Sequence, residues 1–282
     1  MLPVAVAPAG ALAQWQADFG ASLVYDNNLP QAQLASDIVD DFGVAARAGI
    51  ARSFALDDRA DVGMGLEAKV LRYAKYQGAS VISLGAAASY RRKLGLGLTA
   101  PRIGADASLA WEDSPEAVRD GYRFVASAFF SKRFDERLEA SVTLAYDRRE
   151  QRDATSVVPG IPGDPFSLQS RSVTLRGSYA FGERASFIAS AGARGGDVVS
   201  STRRNPQIFV ESAAIAPDPA FGPDYIAYRL TGARTLSLGA GVAYELSRRS
   251  SLEAFLITHD TRARGGLDYD VQRFSVSYAY HP

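Results

Sequence analysis

Cysteine is absent from the 282 residues of the chain, so the sequence supports neither a disulfide framework nor a thiolate metal site. A chain without cysteine is compatible with passage through an oxidising periplasm, where stray thiols would be a liability. Net charge is absent too, because 31 basic side chains balance 31 acidic ones. A general nucleic-acid binder normally shows a basic excess. We therefore expect no nucleic-acid partner.

Long hydrophobic runs are also missing. No segment approaches the roughly 18 apolar residues of a membrane-spanning helix, and the mean hydropathy is close to neutral, at −0.08. These values are compatible with a membrane protein of another kind, because a transmembrane strand presents only alternate residues to lipid. The sequence therefore argues against a helical membrane protein but remains compatible with a membrane β-barrel.

The N-terminal segment, residues 1–13, is apolar and ends in Ala11-Leu12-Ala13, a small-x-small pattern typical of a signal cleavage site. It lacks a basic n-region, so we interpret it as the remnant of a signal peptide with a truncated or misassigned start. The alternative is a disordered apolar N-terminus. The predicted folded domain is then residues 14–282.

Alternation with a period of two dominates the rest of the chain and is typical of strands with one apolar face. In the first segment Trp15, Phe19 and Leu23 share one face, and Asp18 lies on the other. About twelve such segments occur, each of roughly 10 residues or more, the length that a tilted strand needs to cross a bilayer. They begin at Trp15, Phe42, Val62, Ile82, Ile103, Tyr122, Leu138, Val173, Phe187, Leu236, Leu252 and Phe274.

The connections between these segments alternate in length. The short ones are residues 54–59, 91–97, 135–137, 182–184 and 247–250. The connections that alternate with these are mostly longer. They are residues 26–40, 72–80, 113–120, 148–167, 198–224 and 261–268. Short periplasmic turns and longer extracellular loops are typical of outer-membrane barrels. The predicted fold is all-β: a single closed antiparallel transmembrane β-barrel of about twelve strands, whose first and last strands pair so that no edge is left in lipid.

Aromatic residues fall at both ends of the predicted strands, as the headgroup regions of a membrane favour. Those at the periplasmic ends are Trp15, Phe54, Phe134, Phe181, Tyr278 and Tyr280. Those at the outer ends are Tyr25, Trp111, Tyr122 and Tyr146. A soluble β-sandwich also alternates, but it uses shorter strands and has no reason to place rings at both ends. The girdles therefore favour the membrane barrel.

The final strand carries the most specific resemblance to a known class. Its residues Phe274, Val276, Tyr278 and Tyr280 resemble the aromatic C-terminal strand that the outer-membrane barrel assembly machinery recognises, although His281-Pro282 follow the last ring. The whole mature chain resembles bacterial outer-membrane β-barrel proteins. That resemblance implies an integral location in the outer membrane, with lipid, lipopolysaccharide and the assembly machinery as partners.

A second similarity rests on Tyr25-Asp26-Asn27-Asn28 at the end of the first strand and on the repeated strand–turn–strand units. It connects the chain with β-barrel porins and with the C-terminal barrels of surface-lipoprotein assembly modifiers. The N-terminal helical-repeat domain usual in those modifiers is absent from this sequence. The similarity implies either a porin or a barrel of an export system with protein partners.

The face opposite the apolar one would line the lumen, and it consists mostly of small residues with charges at intervals. An intermediate strand number predicts a narrow pore rather than a wide one. Asp18, Arg47 and Glu67 fall at similar heights on neighbouring strands. They suggest either an ion-selective constriction or a ladder of ion pairs that satisfies buried charges. The further lumen candidates are Asp106, Glu112, Arg123 and Arg176.

Two more arginines, Arg194 and Arg229, are predicted to lie opposite each other on adjacent strands, with Arg203 and Arg204 in the loop between them. A basic patch at a pore mouth would attract anionic solutes. The alternatives are contact with lipopolysaccharide phosphates and a solvated loop. The same loop, residues 198–224, is the longest connection and could fold inward as a constriction, or form an external lid or a mobile receptor loop.

Catalysis is not expected. His259, which lies beside Asp260, and His281 are the two histidines, and no signature motif marks a nucleophile. The sequence also contains no phosphate loop, metal cluster or cofactor motif. The function we expect is that of a porin-like channel for small polar solutes, without a cofactor and with weak anion preference. The alternatives are an export or scaffold barrel and, third, a membrane hydrolase built around His259.

Overall fold

The computed structural model of the protein describes residues 15–282, so the predicted signal-peptide remnant, residues 1–13, lies outside the described residues. Within them the chain forms thirteen strands and one short α-helix. No helix of this part of the chain is long and apolar enough to cross a membrane. The strands are β1 (Trp15–Asp26), β2 (Asp41–Asp57), β3 (Ala60–Tyr73), β4 (Val81–Lys93), β5 (Arg102–Asp113), β6 (Gly121–Arg133), β7 (Leu138–Gln151), β8 (Leu168–Ala180), β9 (Ala185–Thr202), β10 (Ala214–Pro217), β11 (Ile226–Ser247), β12 (Ser250–Arg262) and β13 (Asp268–Tyr280), and the helix is α1 (Pro206–Glu211).

Twelve of these strands close into an antiparallel barrel. Each pairs with its neighbour in the chain, β9 pairs with β11, and β13 pairs with β1 through the register Phe19 to Tyr280. The remaining strand, β10, adds four residues to the outer end of β11. Closure matters because an unpaired strand edge cannot be satisfied in hydrocarbon. The predicted fold and strand number are therefore confirmed.

The outer wall of the barrel is apolar, as the alternation predicts. Large side chains such as Leu66, Leu144 and Leu175 point away from the lumen and are more than half exposed. Such a continuous exposed apolar surface would be a liability in water and is what a bilayer requires. Aromatic residues lie at the strand ends, with Tyr25 packed on Phe42 at a ring distance of 4.8 Å. The barrel is thus built for integral insertion in an outer membrane.

The connections lie alternately at the two ends of the barrel, as predicted. The predicted difference in length fails for the turn at residues 94–101, which is longer than the outer loops at residues 74–80, 114–120 and 263–267. The outer loops are L1 (residues 27–40), L2 (74–80), L3 (114–120), L4 (152–167), L5 (203–225) and L6 (263–267). The periplasmic turns are residues 58–59, 94–101, 134–137, 181–184 and 248–249. Several predicted boundaries were wrong. The turns expected at residues 54–59 and 91–97 begin later, because β2 continues to Asp57 and β4 to Lys93. The loops expected at 148–167 and 198–224 begin after Gln151 and Thr202, because β7 and β9 continue past the apolar pattern.

Candidate functional site

The lumen is lined by small residues with charges between them. Ala87 and Thr174 alternate with lipid-facing neighbours and therefore point inward, yet both are exposed. Inward-facing side chains can be exposed only if the barrel encloses space that water can enter. The lumen is therefore not filled by its own side chains, in contrast with the smallest barrels.

The first group of predicted lumen residues forms ion pairs. Arg47 Nη2 lies 3.6 Å from Asp18 Oδ2 across the β1–β2 ladder. Glu67 pairs with Lys69 on its own strand. Both side chains of the Asp18–Arg47 pair are one-third exposed, so the charges face enclosed water rather than a dry interior. This geometry is that of the ion-pair ladder, one of the two arrangements that the sequence suggests.

A second network joins three neighbouring strands near the outer end of the lumen. Arg123 on β6 donates to both carboxylate oxygens of Asp147 on β7, at 3.0 and 2.6 Å. It also lies 3.8 Å from Glu112 on β5, which accepts a 2.7 Å bond from Arg149 Nε. Charge-assisted and bidentate contacts of this kind hold side chains in fixed positions. Glu112 and Arg123, both predicted for the lumen, thus belong to one network.

Arginine also lies over phenylalanine at two places on the inner wall. Arg91 pairs with Asp106 at 3.0 Å and lies over the ring of Phe129 at 5.5 Å. The ring rests against the wall at Gly104, where a Cβ would lie 2.4 Å from it, so only glycine leaves room. Cation–π contacts of this kind add to the ion pairing. Asp106 therefore has a structural partner that the sequence analysis did not name.

The second such place involves the predicted lumen residue Arg176. Its guanidinium lies 3.3 Å from Glu253 and 5.6 Å from the ring centre of Phe255. Arg176 is on β8 and both partners are on β12, three strands further round the wall. A contact that skips the two intervening strands can form only inside the barrel. Arg176 is therefore a lumen residue, as predicted.

The predicted juxtaposition of Arg194 and Arg229 is wrong. Arg194 pairs in register with Thr235, whereas Arg229 pairs with Val199, five residues further along β9. Arg194 Nη2 donates to the carbonyl oxygen of Asp197 at 3.1 Å. The shift arises because β9 and β11 extend above the membrane and because a bulge interrupts the pairing after Leu230.

Arg229 instead anchors an outer loop. Its Nη1 atom donates to the carboxylate of Asp164 at 3.0 Å and to the carbonyl oxygen of Ser167 at 2.7 Å, both near the end of L4. The loop arginine Arg203 has a different partner. It lies 3.8 Å from Asp37 of L1, a long contact at the rim. Arg194, Arg203 and Arg229 therefore do not form one basic patch.

Loop L1 folds over the outer mouth from one side. Its Asn28, at the end of the Tyr25–Asn28 motif, is buried, donates to the carbonyl oxygens of Ala32 and Asp270, and accepts from the amide of Ala32. Ser200 and Ser201 on the extended end of β9 then donate to the backbone of L1 at 2.8 Å each. The motif therefore has a structural role: it folds L1 over the mouth toward the extended end of β9.

Loop L5 crosses the mouth from the other side. The β9–β11 and β3–β4 connections are diametrically opposite, because six steps in either direction around the ring of twelve strands separate them. Phe221 of L5 nevertheless packs on Tyr76 of L2, with ring centres 5.6 Å apart. L5 therefore spans the whole diameter. We call L1 and L5, with the outer ends of β9 and β11, the outer cap.

A buried ion pair fixes L5 in this position. Arg119 of L3 donates to both oxygens of Asp218 in L5, at 2.9 and 2.6 Å. Asp218 is fully buried and also accepts from Ser201. The Arg119 guanidinium lies between the rings of Phe166 and Phe221, at 4.7 and 5.2 Å. We call this arrangement of Arg119 and Asp218 the latch.

The rest of the cap is packed like the interior of a small soluble domain. One apolar cluster includes Val198, Ile208, Ile215, Tyr228 and Leu230. Buried aspartates tie the loops together, each with a partner: Asp26 with Arg273, Asp37 with Thr202, Asp41 with backbone amides, Asp120 with Arg152 and Asp218 with Arg119. Burial, and next the charge of Asp37, raise the pKa of the Tyr225 hydroxyl above its ordinary value. L5 therefore lies as a lid over the outer end of the barrel and does not form a constriction lower in the lumen.

The histidine considered for catalysis lies on the inner wall. His259 Nδ1 is 2.7 Å from Ser237 Oγ, and the two residues are directly opposite in the β11–β12 register. Among residues 15–282, no carboxylate or amide side chain forms a hydrogen bond with the ring of His259. A serine–histidine–acid site needs such a third group to orient the imidazole. The contact therefore has the form of a cross-strand hydrogen bond.

The last strand closes the barrel. Phe274 and Tyr278 are exposed on the outer wall of β13, while Val276 and Tyr280 on the same face are partly covered by neighbouring strands. The recognition of these residues by an assembly machinery remains a prediction.

Comparison with known proteins bears on the fold. The chain is similar to an outer-membrane channel from Pseudomonas putida F1, with a TM-score of 0.58 and 13% identity over 99% of this chain and 100% of that one. The chain has the fold of an outer-membrane β-barrel. The toluene transporter TodX from Pseudomonas putida matches with a TM-score of 0.46 and 10% identity over 98% of this chain and 90% of that one. An anion-selective porin from Comamonas acidovorans matches with a TM-score of 0.41 and 10% identity over 96% of this chain and 99% of that one. Both are too dissimilar to support an argument about this chain. No protein-family model and no curated protein sequence matches the chain.

Proposed function

We propose that the protein is an outer-membrane channel through which small polar solutes diffuse passively. The observation that carries this proposal is the water-accessible lumen, where Ala87 and Thr174 stay exposed inside a closed barrel. A wall lined by small residues and ion pairs offers a hydrated path along the lumen. Such a wall suits passage rather than tight binding.

The charge arrangement supports weak selectivity. The inner arginines Arg47, Arg91, Arg123 and Arg176 each contact a carboxylate, so their fields are largely cancelled. Arg194 differs, because its contact is with a backbone carbonyl, which leaves its positive charge available. We therefore propose a slight preference for anions, centred on Arg194 and without the cluster of four arginines that the sequence suggested.

We propose that the outer cap gates the channel. L1 and L5 cross the mouth from different sides, and the latch holds L5 in place. Displacement of L5 would then widen the route between the lumen and the exterior. Opening then requires release of L5 from L2 and L3, while the barrel wall stays unchanged. Loops that move while a wall stays rigid are a common form of conformational gate.

Planar-bilayer recording of the purified barrel tests the channel function. We expect discrete conductance steps with long closed intervals, and a small reversal potential toward anion selectivity in a salt gradient. A barrel that stays silent even when the latch is removed would contradict the channel. That outcome would favour the alternative, an export or scaffold barrel with protein partners.

We also propose that the protein is not an enzyme, since Ser237 and His259 form a pair without an orienting third group. Incubation with a fluorophosphonate probe separates the two readings. We expect no covalent labelling of the folded barrel at Ser237. Labelling that disappears in Ser237→Ala would restore the hydrolase as a candidate.

A further inference from the structure

The turn between β4 and β5, residues 94–101, differs from the other periplasmic turns in its exposed leucines. Leu94, Leu96 and Leu98 are exposed by 49%, 82% and 70%. They alternate with Gly95 and Gly97, whose positive φ angles, +157° and +86°, allow the backbone to turn without a side chain. We call these residues the leucine tip. Three exposed leucines within one short turn are an apolar surface that requires a partner.

The leucine tip is continuous with the lipid-facing wall. On β4 the outward residues are those with even numbers, such as Ile82 and Leu84, both about half exposed. The amide of Leu94 donates to the carbonyl oxygen of Pro101 at 2.7 Å, so the β4–β5 pairing runs one step past the register of Lys93 with Arg102. Leu94 therefore extends the same outward face, and Leu96 and Leu98 follow it beyond the last pair.

The charges next to the tip in the sequence are basic. Arg92, Lys93 and Arg102 flank it, and no acidic side chain occurs between residues 91 and 102. Arg92 is exposed and has the even-numbered, outward phase of β4, whereas Arg91 points into the lumen and pairs with Asp106. The turns at residues 134–137 and 181–184, in contrast, each contain acidic and basic residues. Cations next to an apolar segment favour the anionic head groups of phospholipids, to which they are attracted at short range.

We propose that the leucine tip is a membrane anchor: its leucines insert into the phospholipid leaflet on the periplasmic side, and the flanking cations contact the phosphates of that leaflet. Two observations favour lipid as the partner of the leucines: the tip is continuous with the lipid-facing wall, and basic residues flank it. A periplasmic protein docking on the same leucines would need them to stand in water beyond the bilayer.

Site-directed spin labelling tests the anchor cleanly, because the chain has no native cysteine. A nitroxide is attached to Leu96→Cys in the whole barrel, reconstituted into nanodiscs that contain phosphatidylglycerol. Glu136→Cys, at the tip of a polar turn, is the aqueous control, and Leu109→Cys, on the lipid-facing wall, is the lipid-embedded control. Collision with oxygen, which concentrates in lipid, is compared with collision with a water-soluble nickel chelate.

For Leu96 we expect a ratio of oxygen to nickel collisions several-fold above that of Glu136 and close to that of Leu109. In nanodiscs of phosphatidylcholine alone the ratio for Leu96 should fall, because the cations lose their anionic partners. A Leu96 label as accessible to nickel as the Glu136 label would overturn the anchor, and would leave the leucines as a surface for a periplasmic protein. Equal ratios in both lipids would overturn the role of the cations.

Discussion

The latch offers the most direct test of the gate. Asp218→Asn keeps the size and hydrogen-bonding shape of the side chain but removes the charge that faces Arg119. Asp218 is fully buried, while the Arg119 side chain is 17% exposed and so retains a little solvation. Breaking a buried pair by neutralising one partner costs about 3–5 kcal/mol, and the residual solvation of Arg119 points to the lower end.

A loss of about 3 kcal/mol shifts the equilibrium between docked and released L5 roughly 100-fold toward release. The packing of Phe221 on Tyr76 remains and limits the effect. The contacts of Asp218 lie in the outer cap and not in the transmembrane wall. The variant should therefore fold normally and show the same heat-modifiable migration as the unmodified protein. Single-channel recording should therefore show far more frequent openings, with the same unitary conductance in each.

The matched control is Glu150→Gln. Glu150 pairs with Arg148 on the outer wall, where both side chains are more than half exposed. Exposed pairs contribute about 0–1 kcal/mol, so openings should stay as rare as in the unmodified protein. If Asp218→Asn opens no more often than Glu150→Gln while both barrels are folded, the latch does not hold the gate.

Three further perturbations test the wall, the last strand and the lumen. Arg placed at Leu144 should cost about 2–4 kcal/mol and prevent stable insertion, while Arg at the lumen-facing Thr143 should be tolerated; equal behaviour in a heat-modifiability assay would mean that the strand phase is wrong. Alanine at both Tyr278 and Tyr280 should impair folding in the outer membrane but leave export to the periplasm intact, and a normal yield of folded barrel would count against the assembly signal. Arg194→Ser should move the reversal potential toward cation selectivity by a few millivolts, and an unchanged potential would end the anion preference.

The transmembrane wall could be predicted from the sequence because the bilayer imposes one rule on every strand. Residues such as Leu66 and Leu175 must face lipid, and their neighbours must then face the lumen. The same rule places Arg176 inside, and it could also have identified Arg91, which shares the inward phase of β4. Arg149 and Asp147 escaped notice because β7 continues past the last apolar residue of the alternating pattern.

The outer cap could not be predicted in this way, because its contacts follow no period. The latch joins residues 99 positions apart, and nothing in the neighbourhood of either residue marks the other as its partner. The error over Arg194 and Arg229 has the same origin. The predicted register of β9 and β11 assumed that both strands end where the apolar pattern ends. Both strands instead continue into the cap, and their pairing contains a bulge.

The attachment of the first strand and L1 to the last strand has a consequence for the order of folding. Asn28 of L1 bonds to the backbone of Asp270, 242 positions away, and Asp26 binds Arg273 on β13. These bonds require the first and last strands to be neighbours, so they can form only once the cylinder has closed. Contacts between such distant residues are slow to form because the intervening chain must first be ordered. Protection of L1 from an external protease would therefore appear last during biogenesis and would report a barrel that has finished closing.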